Sequence, residues 1–507
     1  MANLNQEMDL KYVKSLLKKK NESQPKPRQR ALVMVLGDIG HSPRMQYHVS
    51  SLVKEGFDVD FVGFRHSEPR AEILKSPAVE IKVLSDVPAA LRGFPRLLYY
   101  PIKVVWLVLS LLWTMWNLQS PDLILIQNPP TIPVVFCAFL ANYYWQAAVV
   151  VDWHNYSHTI LAMNLKRRGL LQRFLLAASE LAEKVAAQYS DLNLCVTKAM
   201  AADMKRRWNA NATTLYDRPP DDFGTFDSME GRHFLFMKLG GVSSAFRSED
   251  VTSTGTETAF TKKDLGKGVS LKANRPVLLV SSTSWTEDED FGLLFDALKL
   301  YDDTARKSPE KYPKILLVVT GKGPLKDFYM SRVKQEPLET VAITSFWLET
   351  ADYPRLLGSA DLGVCLHFSS SSLDLPMKVV DMFGCGIPVC AVKYDCIEEL
   401  VQPNSNGLLF TSPDELCQQF LTLLAGFPNT KSNLLARLKA EVQTFRQTSW
   451  HSNWMNVAEP VLTAAVERRK RNVVPSRQRL AYALLGLALL IVPFVLSFQL
   501  LGSVFGR

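Results

Sequence analysis

The sequence predicts an α/β protein with two doubly wound, Rossmann-like domains facing a cleft, followed by a single C-terminal transmembrane helix. Three observations carry this. Short continuous apolar runs, each closed by a polar or glycine-containing turn, alternate with segments of helical period, the rhythm of a parallel sheet buried on both faces. The rhythm stops near residues 216–220 and restarts at 277 after a polar stretch. Residues 480–505 carry no charge, and about 20 apolar residues suffice to cross a bilayer.

Composition agrees. The 507-residue length suits more than one domain. A 47% hydrophobic and 21% charged composition excludes wholesale disorder, and a mean hydropathy near zero excludes a multi-span membrane protein. The net charge of +8 is modest for this length and falls short of a nucleic-acid-binding composition, so no nucleic acid is expected as a partner.

The elements follow in order. Residues 1–30 form a basic lead (Lys11, Lys14, Lys18, Lys19, Lys20, Lys26, Arg28, Arg30) with no continuous apolar run of the kind that opens a secretory signal. The first domain is expected over 31–220. Its first strand is 32–36, turned by residues 37–40 into a helix from Ser42 or Pro43, with a second strand at 57–64. Further strands are expected at 123–126, 148–152 and 192–196, and a helix at 171–189. Residues 97–118 are apolar but interrupted by Lys103 and rich in Trp and Tyr. A full span there would divide the first sheet across a membrane, which leaves a helix with an aromatic face in the membrane interface or an ordinary core helix.

Residues 221–274 read as a linker or insertion. The second domain, 275–466, has strands at 277–280, 315–320 and 362–366 and a helix at 291–300. A basic run over 467–479 (Arg468, Arg469, Lys470, Arg471, Arg477, Arg479) precedes the apolar segment 480–505, so the positive-inside rule keeps everything before it cytosolic. Seven cysteines, an odd number without CxxC spacing, fit a reducing compartment, and Cys385, Cys390 and Cys396 read as core thiols.

Chemistry is expected where strands end. Asp38, in the turn after the first strand, suits either a helix cap or a base that takes a proton from a hydroxyl; Arg44 suits an anion clamp or a surface charge. Asp152, Trp153, His154, Asn155 and Tyr156 crowd hydrogen-bonding and stacking groups into one turn, as a sugar requires, or form a capped loop. Lys322 and Gly323 follow the 315–320 strand as a cation and a close-approach glycine suited to a diphosphate. Ser370, Ser371, Asp374 and Pro376 precede a helix carrying Lys378 and Asp381 on one face. One can neutralise phosphate while the other accepts from a ribose hydroxyl.

The segment PMKVVDMFGCGIPV resembles the nucleotide-sugar segment of GT-B glycosyltransferases. Together with GDIGHSPRMQYH, DWHNYSH, LYDRPP and SSTSWTEDEDF, five blocks in order over residues 31–425, it is similar to the chitobiosyldiphosphodolichol β-mannosyltransferase family of the N-glycan pathway. The resemblance implies transfer of mannose from GDP-mannose to dolichol-diphosphate-linked chitobiose (GlcNAc2-diphosphodolichol), with inversion and a β-1,4 linkage, on the cytosolic face of the endoplasmic reticulum membrane. Other dolichol-pathway glycosyltransferases are possible partners. Relatives in that family carry an N-terminal anchor, whereas here the apolar helix is C-terminal. The GT-B pattern has two glutamates eight positions apart; Asp381 matches the second, Leu373 stands at the first, and its neighbour Asp374 is the nearest candidate.

The expected mechanism is direct displacement at the anomeric carbon. The base is Asp38, with Asp152 and His154 as rivals; His41, Arg44, Trp153, Asn155 and Tyr156 bind acceptor. Ser284, Lys322, Gly323, Ser370, Ser371, Asp374, Pro376, Lys378 and Asp381 bind donor. No DxD stands at a strand end, so neither metal nor other cofactor is required; Asp288 and Asp290, flanking Glu289, read as capping and solvated charge. The alternatives are a GT-B transferase with another nucleotide sugar or polyprenyl acceptor, and a catalytically silent GT-B scaffold.

Overall fold

The computed structural model describes residues 28–94, 96–164, 169–220, 223, 228–248, 257–264, 266, 268–349, 351–428 and 434–471. The chain forms two compact units, 1–216 with 451–507 and 217–450.

In the first unit, β1 (Arg30–Asp38), β2 (Asp58–Phe64), β3 (Val79–Val83), β4 (Leu123–Asn128), β5 (Ala148–Trp153), β6 (Leu192–Cys195) and β7 (Thr213–Thr214) form a parallel sheet of order β3-β2-β1-β4-β5-β6-β7. The order reverses between β1 and β4, where the carboxyl ends of strands leave a crevice in such sheets. The central strands are apolar on both faces because helices cover both. These are α1 (Pro43–Lys54), α2 (Ala71–Lys75), α3 (Arg96–Trp116), α4 (Val134–Trp145), α5 (Ser157–Asn164), α6 (Leu170–Tyr189) and α7 (Lys198–Trp208).

The expected hydrophobic helix at 97–118 is α3. Leu107, Leu111 and Met115 are buried, while Leu109, Trp113 (72% exposed) and Trp116 (79% exposed) face outward at the i, i+4, i+7 spacing of one helical stripe. Among the described residues no helix is long and apolar enough to cross a membrane. The segment 480–505 lies outside the described residues.

The second unit starts with α8 (Met229–Gly240) and an antiparallel hairpin, β8 (Thr261–Asp264) and β9 (Gly268–Leu271). Much of the expected 221–274 linker is therefore folded. Ser228 caps α8, and Phe236, Phe246 and Phe260 stack into a small core with centroids 4.7–5.9 Å apart. These rings are far apart in a polar sequence, so no helical or strand period announces them.

The second parallel sheet comprises β10 (Val277–Ser282), β11 (Ile315–Thr320), β12 (Val341–Phe346), β13 (Leu362–Cys365), β14 (Val389–Val392) and β15 (Gly407–Phe410), in the order β12-β11-β10-β13-β14-β15. Here the order reverses between β10 and β13. The helices are α9 (Phe291–Lys307), α10 (Lys326–Gln335), α11 (Tyr353–Ser359), α12 (Met377–Gly384), α13 (Pro413–Leu424) and α14 (Leu434–Arg446).

The final helix, α15 (Trp450–Arg471), corrects the expected boundary at 466: all but its first residue belongs to the first unit. Its apolar side chains Trp454, Ala458, Leu462, Ala465 and Val466 are buried, and Trp454 Nε1 donates to His48 Nδ1 at 3.0 Å. Part of the basic run is used within that unit, since Arg469 pairs with Asp191 (3.3 Å) and Lys470 with Asp122 (2.9 Å).

Candidate active site

In the second unit the residues expected to bind donor gather at the carboxyl ends of β10, β11 and β13. Gly321 has φ +131°, and a Cβ there would lie 1.8 Å from Thr283 O; one on Gly323 would lie 1.8 Å from Ser284 O. These glycines therefore let the loop after β11 cross the loop after β10 in contact. Lys322 Nζ sits 4.4 Å above the exposed Trp347 ring. On the facing strand end, Trp285 holds a left-handed φ of +50°, and Ser372, before α12, holds +59°. Such backbone strain gathers where a loop is held for function.

Lys378, in the first turn of α12, is the centre of charge. Its ammonium pairs with the buried Glu289 and stands 3.4 Å from Ser284 Oγ. Glu289 also accepts from Thr283 Oγ1 at 2.8 Å. His367, two residues past β13, lies 3.7 Å from Glu289 and 3.5 Å from Asp374. Burial raises the Glu289 pKa, but His367 and Lys378 outweigh it and bring it down to about 2. Against burial, Asp374 and Glu289 push His367 up to about 9, so the imidazole is cationic at neutral pH.

Asp374 is fixed by the hydroxyls of Ser369 and Ser371, and Pro376 occupies the cap position of α12. Ser370 is half-buried in the same turn. Asp381 lies at the end of a relay: Thr320 Oγ1 donates to Ser282 Oγ (3.1 Å), Ser282 Oγ and Tyr353 Oη are 3.1 Å apart, and Tyr353 Oη donates to Asp381 Oδ2 (3.5 Å).

Sequence reasoning missed Glu289, His367 and Tyr353. Asp290 does cap α9, accepting from Gly292 N. Its neighbour Glu289 turns inward and is buried, and only the cation opposite, the partly exposed Lys378, reveals it. Asp288, Glu289 and His367 bring ligand atoms within 4.8 Å of one another, a spacing that could hold a metal, but the Lys378 ammonium already neutralises the buried carboxylate.

In the first unit, Asp38 closes β1 and accepts from the backbone N–H of Gly40, His66 and Ser67, each at 3.2 Å, with His41 Nδ1 at 2.7 Å. Burial raises its pKa, but these hydrogen bonds outweigh it and hold the carboxyl well below the usual range. Asp38 thus pins two loops together. His41 itself is exposed.

Asp152 is fully buried. Arg44 Nε and Nη2 donate to its two oxygens at 2.8 Å each, and His154 Nε2 lies 2.8 Å from Oδ2. Burial raises the Asp152 pKa, and Arg44 and His154 override it to hold it well below the usual range. These contacts correct four expectations. Asp152 is an internal anchor and not a base, and Arg44 is its buried counter-ion and not an acceptor clamp. Trp153, bonded to Asn193 (2.8 Å), and Tyr156, bonded to Asp203 (3.1 Å), are core side chains rather than sugar platforms. Asn155 accepts from Tyr156 N at 2.7 Å, and its carbonyl accepts from Asn128 Nδ2. His154 remains partly exposed, with Nε2 held by Asp152, an arrangement that orients a ring nitrogen for proton transfer.

Comparison with known proteins accords with this geometry. A family model for group 1 glycosyl transferases matches residues 275–426, and a glycosyl transferase 4-like domain matches 40–215. The chain is 42% identical to UDP-glycosyltransferase TURAN of Arabidopsis thaliana (87% of this chain, 98% of that one). It is 43% identical to mouse chitobiosyldiphosphodolichol beta-mannosyltransferase (85% and 88%) and 40% identical to the human protein of that name (86% and 92%). Among solved structures, Anabaena HepE in complex with UDP-glucose shares the fold at a TM-score of 0.55 and 15% identity, covering 86% of this chain and all of that one. Two Rossmann-like units, two family models and relatives matched over most of their length lead to one conclusion: the chain belongs to the chitobiosyldiphosphodolichol beta-mannosyltransferase family of GT-B glycosyltransferases.

Proposed function

We propose that the protein transfers mannose from GDP-mannose to GlcNAc2-diphosphodolichol, forming the β-1,4 linkage with inversion. The observation that carries this reading is the 43% identity over 88% of the mouse chitobiosyldiphosphodolichol beta-mannosyltransferase. In the second unit, Lys378 and Lys322 supply positive charge for the departing diphosphate, Glu289, itself paired with His367, holds Lys378 in place, and Asp381 accepts from the ribose. No metal is needed where two lysines and a helix N-terminus share that work.

In the first unit the base is His154. Asp38 already accepts four N–H donors and Asp152 is sealed by Arg44, whereas His154, steadied by Asp152, presents its other ring nitrogen to the acceptor hydroxyl. The enzyme acts at the cytosolic face of the endoplasmic reticulum membrane. Residues 480–505 anchor it, and the outward stripe of α3 meets the interface where a dolichol-linked acceptor is confined.

The test is incorporation of mannose from GDP-mannose into phytanyl diphosphate-chitobiose by detergent-purified protein, beside Asp381→Ala. A β-linked product lost in the variant supports the reading; no product while GDP-mannose still binds refutes it and favours another acceptor or a silent scaffold. A second reading, a UDP-sugar donor, is favoured by the name of the Arabidopsis relative. Preferential turnover of UDP-sugars in the same assay would replace the first.

A further inference from the structure

A cavity of about 260 Å³ opens in the second unit at the amino ends of the strands, away from the donor loops. Arg275 stands just before β10 and Asp361 just before β13, whereas the donor residues follow the carboxyl ends of these strands. Arg232 of α8 and Lys439, Gln443 and Arg446 of α14 also line it.

The charge of this lining is one-sided, with four cations against one carboxylate. That carboxylate is already saturated: Asp361 accepts from Arg275 Nη1 and Nη2 at 2.7 and 2.8 Å and from Leu278 N at 3.0 Å, with Lys439 Nζ at 3.4 Å. Arg446 Nη1 donates to Gln443 Oε1 at 2.8 Å, which holds its guanidinium beside the cavity. The Nε–H groups of Arg232 and Arg275 are buried and make no hydrogen bond among the described residues. Buried donors are almost always matched, by protein, water or a bound ion, and here the surrounding charge selects an anion. Gly386, at φ +81°, adds a second indication. A Cβ there would approach Gln443 Nε2 to 3.0 Å and Arg446 Nη1 to 3.2 Å, so glycine leaves the space in which these side chains stand beside the cavity.

We propose that this cavity is a second anion site, binding a small oxyanion of the phosphate class between α8 and α14, with Arg232 and Arg446 as its principal ligands. Guanidinium forks match phosphate oxygens in geometry and charge. The inference is independent of the mannosyl-transfer reading.

Calorimetric titration of inorganic diphosphate into the full-length protein in detergent tests it, with Arg232→Gln, Arg446→Gln and the donor-side variant Lys378→Ala in parallel. The expected result is an affinity about tenfold weaker in each arginine variant and retained in Lys378→Ala, since a charge-assisted contact of this kind is worth about that factor. Each variant is compared by its thermal midpoint without anion, and Arg232→Lys, which keeps the charge but loses the fork, should bind with intermediate affinity. Wild-type affinity in both arginine variants, or binding abolished by Lys378→Ala, would overturn the proposal. A parallel titration of GDP into Lys378→Ala and into the Lys378→Ala/Arg232→Gln double variant distinguishes the source: GDP binding weakened further by the added arginine change supports a nucleotide-borne diphosphate, and GDP binding insensitive to it, with diphosphate binding weakened, supports the free anion.

Discussion

At the scale of single residues, the same side-chain type serves opposite ends according to its neighbours. Asp152 and Glu289 are both buried carboxylates, but one is sealed by Arg44 within the first unit while the other braces a lysine at the donor loops. Breaking a buried pair leaves an uncompensated charge, so Asp152→Asn is expected to destabilise the first unit by about 3–5 kcal/mol, read as a shift in the denaturant midpoint. His154→Gln should leave that midpoint nearly unchanged while lowering kcat by about 10²–10⁴-fold, the range of a lost general base; an unaltered kcat would return the role to another group. The His367 cluster makes stability depend on pH in a defined direction. Its folded pKa of about 9 lies above the ordinary 6.5, so its contribution is complete below pH 6.5 and disappears as the pH rises through 9. Glu289, lowered from 4.5 to about 2, contributes above pH 4.5 and loses that contribution as the pH falls toward 2. Denaturation of the wild type across this range, compared with His367→Gln, should show the alkaline loss flattened in the variant.

At the scale of elements, the strands that end in the sites were legible because a strand buried on both faces is a continuous apolar run, as 315–320 shows: it is β11 to the residue. Helix α9 was legible by period but not by length, continuing from the expected 300 to Lys307. The short strands β14 and β15 and the stacked phenylalanines around α8 escaped notice, since their apolar residues find partners only across long sequence separations, and β7, two threonines, has no apolar run at all. The residues expected to bind donor could be gathered by motif as a group, but the inward turn of Glu289 and Trp153 could not be read, because whether a polar or aromatic residue at or after a strand end turns inward depends on what lies opposite. Helix α15 shows the same limit: its sequence lies beside the second domain, yet it packs in the first unit through Trp454. Trp454→Ala removes a fully buried ring and the hydrogen bond to His48, and is expected to cost about 3–5 kcal/mol of first-unit stability by thermal or chemical denaturation, with donor binding retained.

At the scale of the whole molecule, charge and apolar surface are segregated. The net charge of +8 is concentrated in residues 1–30 and 467–479, while the described part of the chain keeps one outward aromatic stripe on α3. Two kinds of membrane attraction follow from the proposed interfacial site, and they respond differently to salt. Electrostatic attraction of basic segments to anionic lipid is screened within about 8 Å at physiological ionic strength, whereas burial of Trp113 and Trp116 among headgroups is not. A protein truncated after residue 471 should therefore float with anionic vesicles at low salt and be released in part at high salt. The same truncation carrying Trp113→Ser and Trp116→Ser should be released almost completely. The full chain, with the proposed anchor at 480–505 in place, should resist salt in either background, because an uncharged apolar sequence of that length partitions by hydrocarbon burial rather than by charge. Equal flotation of the truncated protein with and without the two tryptophans, at high salt as at low, would remove α3 from the membrane-facing surface.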